Sequence, residues 1–462
     1  MEKGDYLIVE DAETHRKLIT QVIDVQFASV PGLLEELLRD STTDERVCGD
    51  NFDPFGVSSH INHIKDARML LCKIRGTIKD EKLQVNSSWL PSRSRSAISR
   101  ISINSLLAHL GGNKELPINI GETKDASPLD ITAHDLDGRL NIITGKKGTG
   151  KSHLSKLLVL GLVDYKATVV VLDLNGEYTG LGYSSSGGNN EYGSRVHVLT
   201  PGANFRVSLA QMEIRVMLNI LIHALNLPGT STREFKRIWK SLRQQGNFTL
   251  QDLGDAIKEC KCNMHVRDAL FSRYYSLINS GFFADDESAI SFEKLFEETQ
   301  NEGGALVINL KDVSSVDRQI VLEYTLGNLV KLLGQWKIRS VFLFAEEAHL
   351  YLRETYWEDI VTRMRHFGLF TSFVTNQPDT IKENIYRQAD SIFLFNFTNE
   401  RDLETVSRAA RVDSETVKSI AQELPPHHCL LIGKTVKDFP VMVKVRALDI
   451  KTMGQTRLFF TN

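Results

Sequence analysis

Two hydrophobic rhythms organise this chain. Near-continuous apolar runs at 140–143, 167–172, 305–310, 340–345, 371–375 and 391–395 read as strands, and those at 167–172, 340–345 and 371–375 run straight into polar or acidic residues. Behind the first of them, residues 153–160 carry apolar positions at helical spacing. Between Met212 and Asn301 the helical rhythm dominates, with Gly229, Gly246 and Gly281 as breakers between the helical stretches. The pattern predicts an α/β core with a helical insertion. Residues 1–115 differ: runs at 6–9, 18–25 and 69–74 read as short strands separated by polar loops, consistent with a small N-terminal β-barrel. Asp40 to Asn62 is polar and acidic and reads as a loop, and 440–446 reads as a final strand.

Between the run at 140–143 and the helix that follows lie Gly145, Lys146, Lys147, Gly148, Thr149, Gly150, Lys151 and Ser152, a complete phosphate-binding loop in its required strand–loop–helix context. Successive backbone N–H groups and a helix N-terminus make a concave anion site, and glycine lets the backbone approach the phosphates. Lys151 is expected on the β- and γ-phosphates of ATP and the Ser152 hydroxyl on Mg²⁺, with His153 completing the nucleotide-binding set.

The strand at 340–345 ends in Glu346 and Glu347. An apolar strand ending in acids is where such enzymes hold the metal-side carboxylate and the base for the attacking water. Glu346 takes the metal-side position and Glu347 is the candidate base, because adjacent residues at a strand end point in opposite directions. Most strands of this kind end in Asp-Glu, so Glu346, longer by one methylene, brings an altered metal geometry and the expectation of slower hydrolysis. The strand at 371–375 leads to Gln377, a candidate sensor of the γ-phosphate. Arg363 and Arg365 close a helix that starts near Trp357, and basic residues in a last turn are also favoured by the helix dipole alone.

Together GKKGTGKS, VVVLDLNGEY, VFLFAEEAH and RMRHFGLFTSFVTNQPDTI resemble the HerA branch of the HerA/FtsK family of hexameric DNA-translocating ATPases, and RQAD before 391–395 is similar too. The resemblance runs from about Leu136 to Lys434. It implies a RecA-like P-loop ATPase core, a homo-hexameric ring with double-stranded DNA in its channel, and Arg365 as the arginine finger reaching a neighbouring subunit, with Arg363 as runner-up. It also places Asp173 and Glu177, from the LDLNGEY segment, among the nucleotide-site residues. The implied division is 1–115 as a HAS-barrel-like cap that docks a partner, 116–209 and 303–435 as two parts of the core, 210–302 as the insertion, and 436–462 as a strand with a bracing tail. A DEAH-box helicase is the weaker reading of EEAH, since the second motor lobe of those enzymes has no counterpart in the sequence. The function implied is DNA translocation or unwinding with a partner nuclease, in DNA processing or anti-phage defence. The alternative is an ATP-responsive scaffold that activates a toxic effector, a nuclease or an NADase.

Composition narrows this further. The 462 residues, 42% hydrophobic and 24% charged, suffice for two or three domains. No run of 18 apolar residues occurs and the N-terminus lacks a signal-peptide pattern, so a cytoplasmic location without a membrane partner is expected. The net charge of −3 gives no global basic footprint, so DNA contact has to come from local basic residues. The basic stretch at 92–96 reads either as such a contact or as a solvated loop. Cys260 and Cys262 are too close for the usual zinc spacing and read as structural.

Overall fold

A computed structural model describes residues 1–27, 68–79, 82–84, 89–92, 94–109, 115–350, 363–410 and 412–454. The expected loop at Asp40 to Asn62, the helix start at Trp357, Arg93 of the basic stretch and the last part of the tail lie outside them.

The N-terminal strands are β1 (Tyr6–Asp11), β2 (Lys17–Phe27), β3 (Arg68–Lys79), β4 (Lys82–Gln84) and β5 (Ser96–Ile101). They form an antiparallel sheet in the order β4-β3-β2-β1-β5. The expected barrel is not confirmed: among the described residues the sheet is unclosed, and β4 and β5 are its edges, not paired to each other. Among the described residues the sheet buries one face. Tyr6, Ile19, Ile78 and Ile101 pack with Leu106 of the following helix and with Phe439 from the far end of the chain. An antiparallel sheet covered on one face can leave the other to water. Its attachment to the rest of the molecule is polar as well: Tyr6 Oη and Gln21 Nε2 donate to the Pro440 carbonyl at 2.9 and 3.0 Å, and Arg75 pairs with Asp413 at 2.8 Å. The stretch at 92–96 meets acids, with Arg95 paired to Glu13 and Ser92 N donating to Asp11 Oδ2 at 3.1 Å.

The main sheet contains β6 (Pro117–Glu122), β7 (Pro128–Thr132), β8 (Leu140–Thr144), β9 (Thr168–Asp173), β10 (Val196–Leu199), β11 (Gly304–Asn309), β12 (Val341–Glu346), β13 (Leu369–Thr375), β14 (Ser391–Leu394), β15 (His428–Gly433) and β16 (Val441–Val445). Its order is β10-β11-β9-β12-β13-β8-β14-β15-β16-β6-β7. All pairs from β10 to β14 are parallel, and the remaining pairs are antiparallel.

The apolar runs are continuous because both faces of the parallel strands are covered. Ile143, Val169, Val171, Val307 and Phe344 pack toward Leu154, Leu157 and Leu158 of the helix Lys151–Asp164. Their neighbours Ile142, Val170, Leu172, Leu306 and Leu343 join the opposite core, which continues into the helices between β10 and β11. Of these, Gly229–Gln245 buries Phe235, Ile238, Trp239 and Leu242 as one stripe and ends at Gly246 with φ 115°. Parallel pairing puts the C-terminal ends of β8, β9, β12 and β13 along one edge of the sheet.

Candidate active site

The loop after β8 closes against the next strand over. A Cβ at Gly145 would lie 2.4 Å from the Phe395 Cβ, and Gly150 caps the following helix with φ 117°. Only glycine meets both conditions at low cost. Lys146 N donates to the Asn396 carbonyl at 2.9 Å, which pins the loop to the end of β14. Lys146, Lys147 and Gly148 are exposed, with Thr149 half-buried behind them. The Lys151 ammonium is buried and folds back over the loop, donating to the carbonyls of Gly145 and Lys146 at 2.8 and 3.0 Å. Burial lowers its pKa, and Glu347, Glu177 and Glu346 oppose that shift.

Ser152, one residue later, donates its hydroxyl to Glu346 Oε1 at 3.0 Å. Glu346 is the last residue of β12 and 3% exposed, and the Asp173 carboxyl at the end of β9 hydrogen-bonds to it. Burial raises the pKa of both acids. For Glu346 the nearby Glu177 and Asp173 charges push it further up. Two carboxyls sharing a proton in a buried site fit a place where a cation belongs. The oxygens of Ser152, Glu346 and Asp173 are hard donors of the kind Mg²⁺ takes, so these residues fit the expected ion.

Asp173 has a second job. Its two oxygens accept from the backbone N–H groups of Glu177 and Tyr178 at 2.9 and 2.8 Å, which fixes the turn through Asn175 and Gly176. Gly176 has φ 69° there, as the Gly of LDLNGEY requires. Glu177 lies 4.0 Å from Lys156, whose ammonium also faces the Tyr178 ring at 5.6 Å.

Glu347 parts from Glu346 sharply. It leaves the strand with φ 49°, and its carboxylate faces His349 Nδ1 at 3.3 Å. His349 Nδ1 is also 3.2 Å from Thr375 Oγ1 at the end of β13, and the Gln377 backbone N–H donates to that same oxygen at 3.1 Å. The Gln377 side chain is exposed, whereas the Asn376 Oδ1 beside it is buried without a hydrogen-bond partner among the described residues. His349, Thr375 and Asn376 escaped the sequence reading. EEAH contained the histidine, but only the β12–β13 pairing brings Thr375 to it.

Arg363 and Arg365 lie elsewhere. They precede β13, at the opposite edge of the sheet from the phosphate loop. Arg365 donates its Nε to the Gly138 carbonyl and pairs with Asp390 at 2.8 Å. Asp390 is 3% exposed, takes Lys434 at 2.9 Å and Arg139 at 3.5 Å besides, and accepts from Leu140 N at 3.1 Å. Arg363 is exposed. The expected helix before these arginines shows only its end, a tight turn over Met364–Phe367.

The chain is similar to several known proteins. The family described as "Helicase HerA, central domain" matches residues 118–329. A probable helicase of Methanocaldococcus jannaschii is 24% identical over 372 residues, 76% of this chain and 70% of that protein. The DNA double-strand break repair helicase HerA of Sulfolobus acidocaldarius is 23% identical over an alignment of 483 residues, 98% of this chain and 90% of that protein. Among solved structures the bacterial conjugative coupling protein TrwBdeltaN70 shares the fold, with a TM-score of 0.54 at 14% identity over 76% of this chain and 93% of that one. TrwB in complex with ADP and Mg²⁺ gives a TM-score of 0.52, at 14% identity over 76% of this chain and 94% of that one.

Proposed function

We propose that this chain, similar to the HerA-type helicases over residues 118–329, is an ATPase of that type that couples hydrolysis of Mg²⁺-ATP to movement along double-stranded DNA as a hexameric ring. The observation that carries this reading is the contact between Ser152 and Glu346, 194 residues apart in sequence and 3.0 Å apart at the mouth of the phosphate loop.

In this reading the loop amides of 145–151 hold the phosphates. Lys151 exchanges its two carbonyl partners for the β- and γ-phosphate oxygens, and Thr149 and His153 line the way out of the loop. Ser152 and Glu346 would hold Mg²⁺, with Asp173 behind them and Glu177 at the rim; the ion offsets charge on the β- and γ-oxygens. Glu347 accepts the proton of the attacking water as the bond between the γ-phosphorus and its bridging oxygen breaks. His349 holds that carboxylate in place from Thr375, so the base is braced by the strand between it and β8. Gln377, or the buried Asn376 oxygen beside it, reports on the γ-phosphate. Arg365 serves the neighbouring subunit, with Arg363 as the alternative.

DNA is proposed as the track because the relative from Sulfolobus acidocaldarius is named a DNA double-strand break repair helicase. A partner nuclease, in DNA processing or anti-phage defence, is proposed to dock on the N-terminal sheet, where Phe27, Met69, Leu71 and Ile98 are exposed. Burying such side chains against a partner is favourable.

The test is an ATPase assay on the purified chain with and without linear duplex DNA, combined with particle imaging, using Lys151→Ala as the control. Hydrolysis that rises with duplex DNA, in ring-shaped particles, and that Lys151→Ala abolishes is the expected result. A rate indifferent to DNA overturns the translocase reading. More than about a tenth of wild-type activity in Lys151→Ala overturns the assignment of the loop to catalysis.

A further inference from the structure

We propose that the imidazole of His427 is the platform on which the nucleobase of the bound nucleotide stacks. The proposal rests on the phosphate-site reading above and extends it to the other end of the ligand.

His427 lies in the turn Pro425-Pro426-His427-His428, far from the phosphate loop in sequence but directly against it in space. Its backbone N–H donates to the Thr149 carbonyl at 2.9 Å, and its own carbonyl accepts from Val445 N at 2.8 Å. Clamped from both sides, it adopts φ 60°, which a residue with a side chain rarely takes. The result is a ring held at the loop's exit. Its Nδ1 lies 3.2 Å from where a Cβ on Gly150 would sit. Its ring centroid is 6.1 Å from that of His153, at an interplanar angle of 77°.

The two rings differ in what they can do. His153 Nε2–H donates to the Arg446 carbonyl at 2.8 Å, because a carbonyl can only accept. His153 is half-buried, and its Nε2 is spent on that carbonyl. His427, by contrast, is exposed, and its ring nitrogens have no hydrogen-bond partner among the described residues.

A nucleotide with its terminal phosphates in the loop carries its α-phosphate past Ser152 and His153 at the start of the helix. Its ribose and base therefore leave the loop over the corner that His153 and His427 form. An exposed imidazole face there offers a stacking surface.

The test uses the full chain and His427→Gly. Glycine accepts φ 60° and keeps both backbone hydrogen bonds, so only the ring is lost. Binding of ATP and of inorganic tripolyphosphate is measured by titration calorimetry in Mg²⁺, together with KM and kcat. The expected result is a roughly tenfold loss of ATP affinity and a matching rise in KM, the order of what one stacked base contributes. Tripolyphosphate binding and kcat should stay within about twofold, since the phosphate cradle is untouched. Equal losses for ATP and tripolyphosphate would mean that the ring merely braces the loop, and no loss for either would put the base elsewhere; both overturn the proposal. Wild-type protein that binds neither ligand overturns the phosphate-site reading, and the base platform with it.

Discussion

The finger role proposed for Arg365 can be tested, because the fold keeps that side chain away from its own phosphate loop. Arg365 contacts Gly138 and Asp390, at the edge of the sheet where β8 begins, whereas the phosphate loop starts at Gly145 where β8 ends. At ~3.3 Å per residue that is roughly 20 Å, several times the reach of an arginine side chain. Arg365 therefore cannot touch a phosphate in its own loop. A finger role requires the loop of another subunit, and losing a finger costs roughly 10³–10⁵ in rate. The competing account is a brace on Asp390. That account predicts little, because removing Arg365 still leaves Asp390 with Lys434 at 2.9 Å, Arg139 at 3.5 Å and Leu140 N at 3.1 Å. The loss is then on the order of 1–2 kcal/mol of stability with near-normal turnover. The assay mixes Arg365→Ala subunits, whose loops are intact, with Lys151→Ala subunits, whose arginines are intact. In randomly mixed rings at equal ratio about a quarter of the interfaces join an intact loop to an intact arginine, so about a quarter of wild-type activity should return. Persistent inactivity in confirmed mixed rings refutes independent action in trans. An Arg365→Ala protein within about tenfold of wild type refutes the finger itself and passes the role to Arg363.

Glu347→Gln should bind ATP with wild-type affinity and fail to hydrolyse it, since the amide keeps the size of the side chain but cannot accept the proton; normal turnover measured by phosphate release would remove Glu347 as the base. Glu346→Gln tests the buried acid through pH. Because burial raises the pKa of Glu346, the fold holds a proton that the unfolded chain gives up, so stability of the metal-free protein falls as pH rises from the usual carboxylate range toward the folded value. The amide cannot ionise and should flatten this fall, melting above wild type at alkaline pH while matching it at acid pH, and should weaken the dependence on Mg²⁺. Thermal melts of the two proteins that stay parallel from about pH 5 to 9 would contradict the buried-acid account.

Much of what is local in this site was legible in the sequence, though the contact of Glu347 with His349 was not. The loop at 145–152 needs backbone amides and glycines in succession, so it is written as one unbroken motif, and the continuous apolar runs announce strands covered on both faces. Strand alternation led to the expectation of separate roles for Glu346 and Glu347; their carboxyls do face different partners, Ser152 for one and His349 for the other, but because Glu347 leaves the strand with φ 49°. Closure of the N-terminal strands was not legible: short alternating strands fix antiparallel pairing but carry no record of closure, and Phe439 covering one face from the other end of the chain is invisible locally.

What the sequence alone determined is therefore the chemistry that neighbouring residues perform together: the phosphate loop, the strand ends that carry acids, and the family they resemble. What only the tertiary structure decided is which distant groups share a site and which do not. Strand order brings Thr375 to His349 and Asp173 to Glu346, the turn before β15 brings His427 to Thr149, and parallel pairing sends Arg365 to the far edge of the sheet. The physical reason is that main-chain pairing sets these distances, and side-chain pattern fixes which face of a strand is buried but not which strand lies beside it.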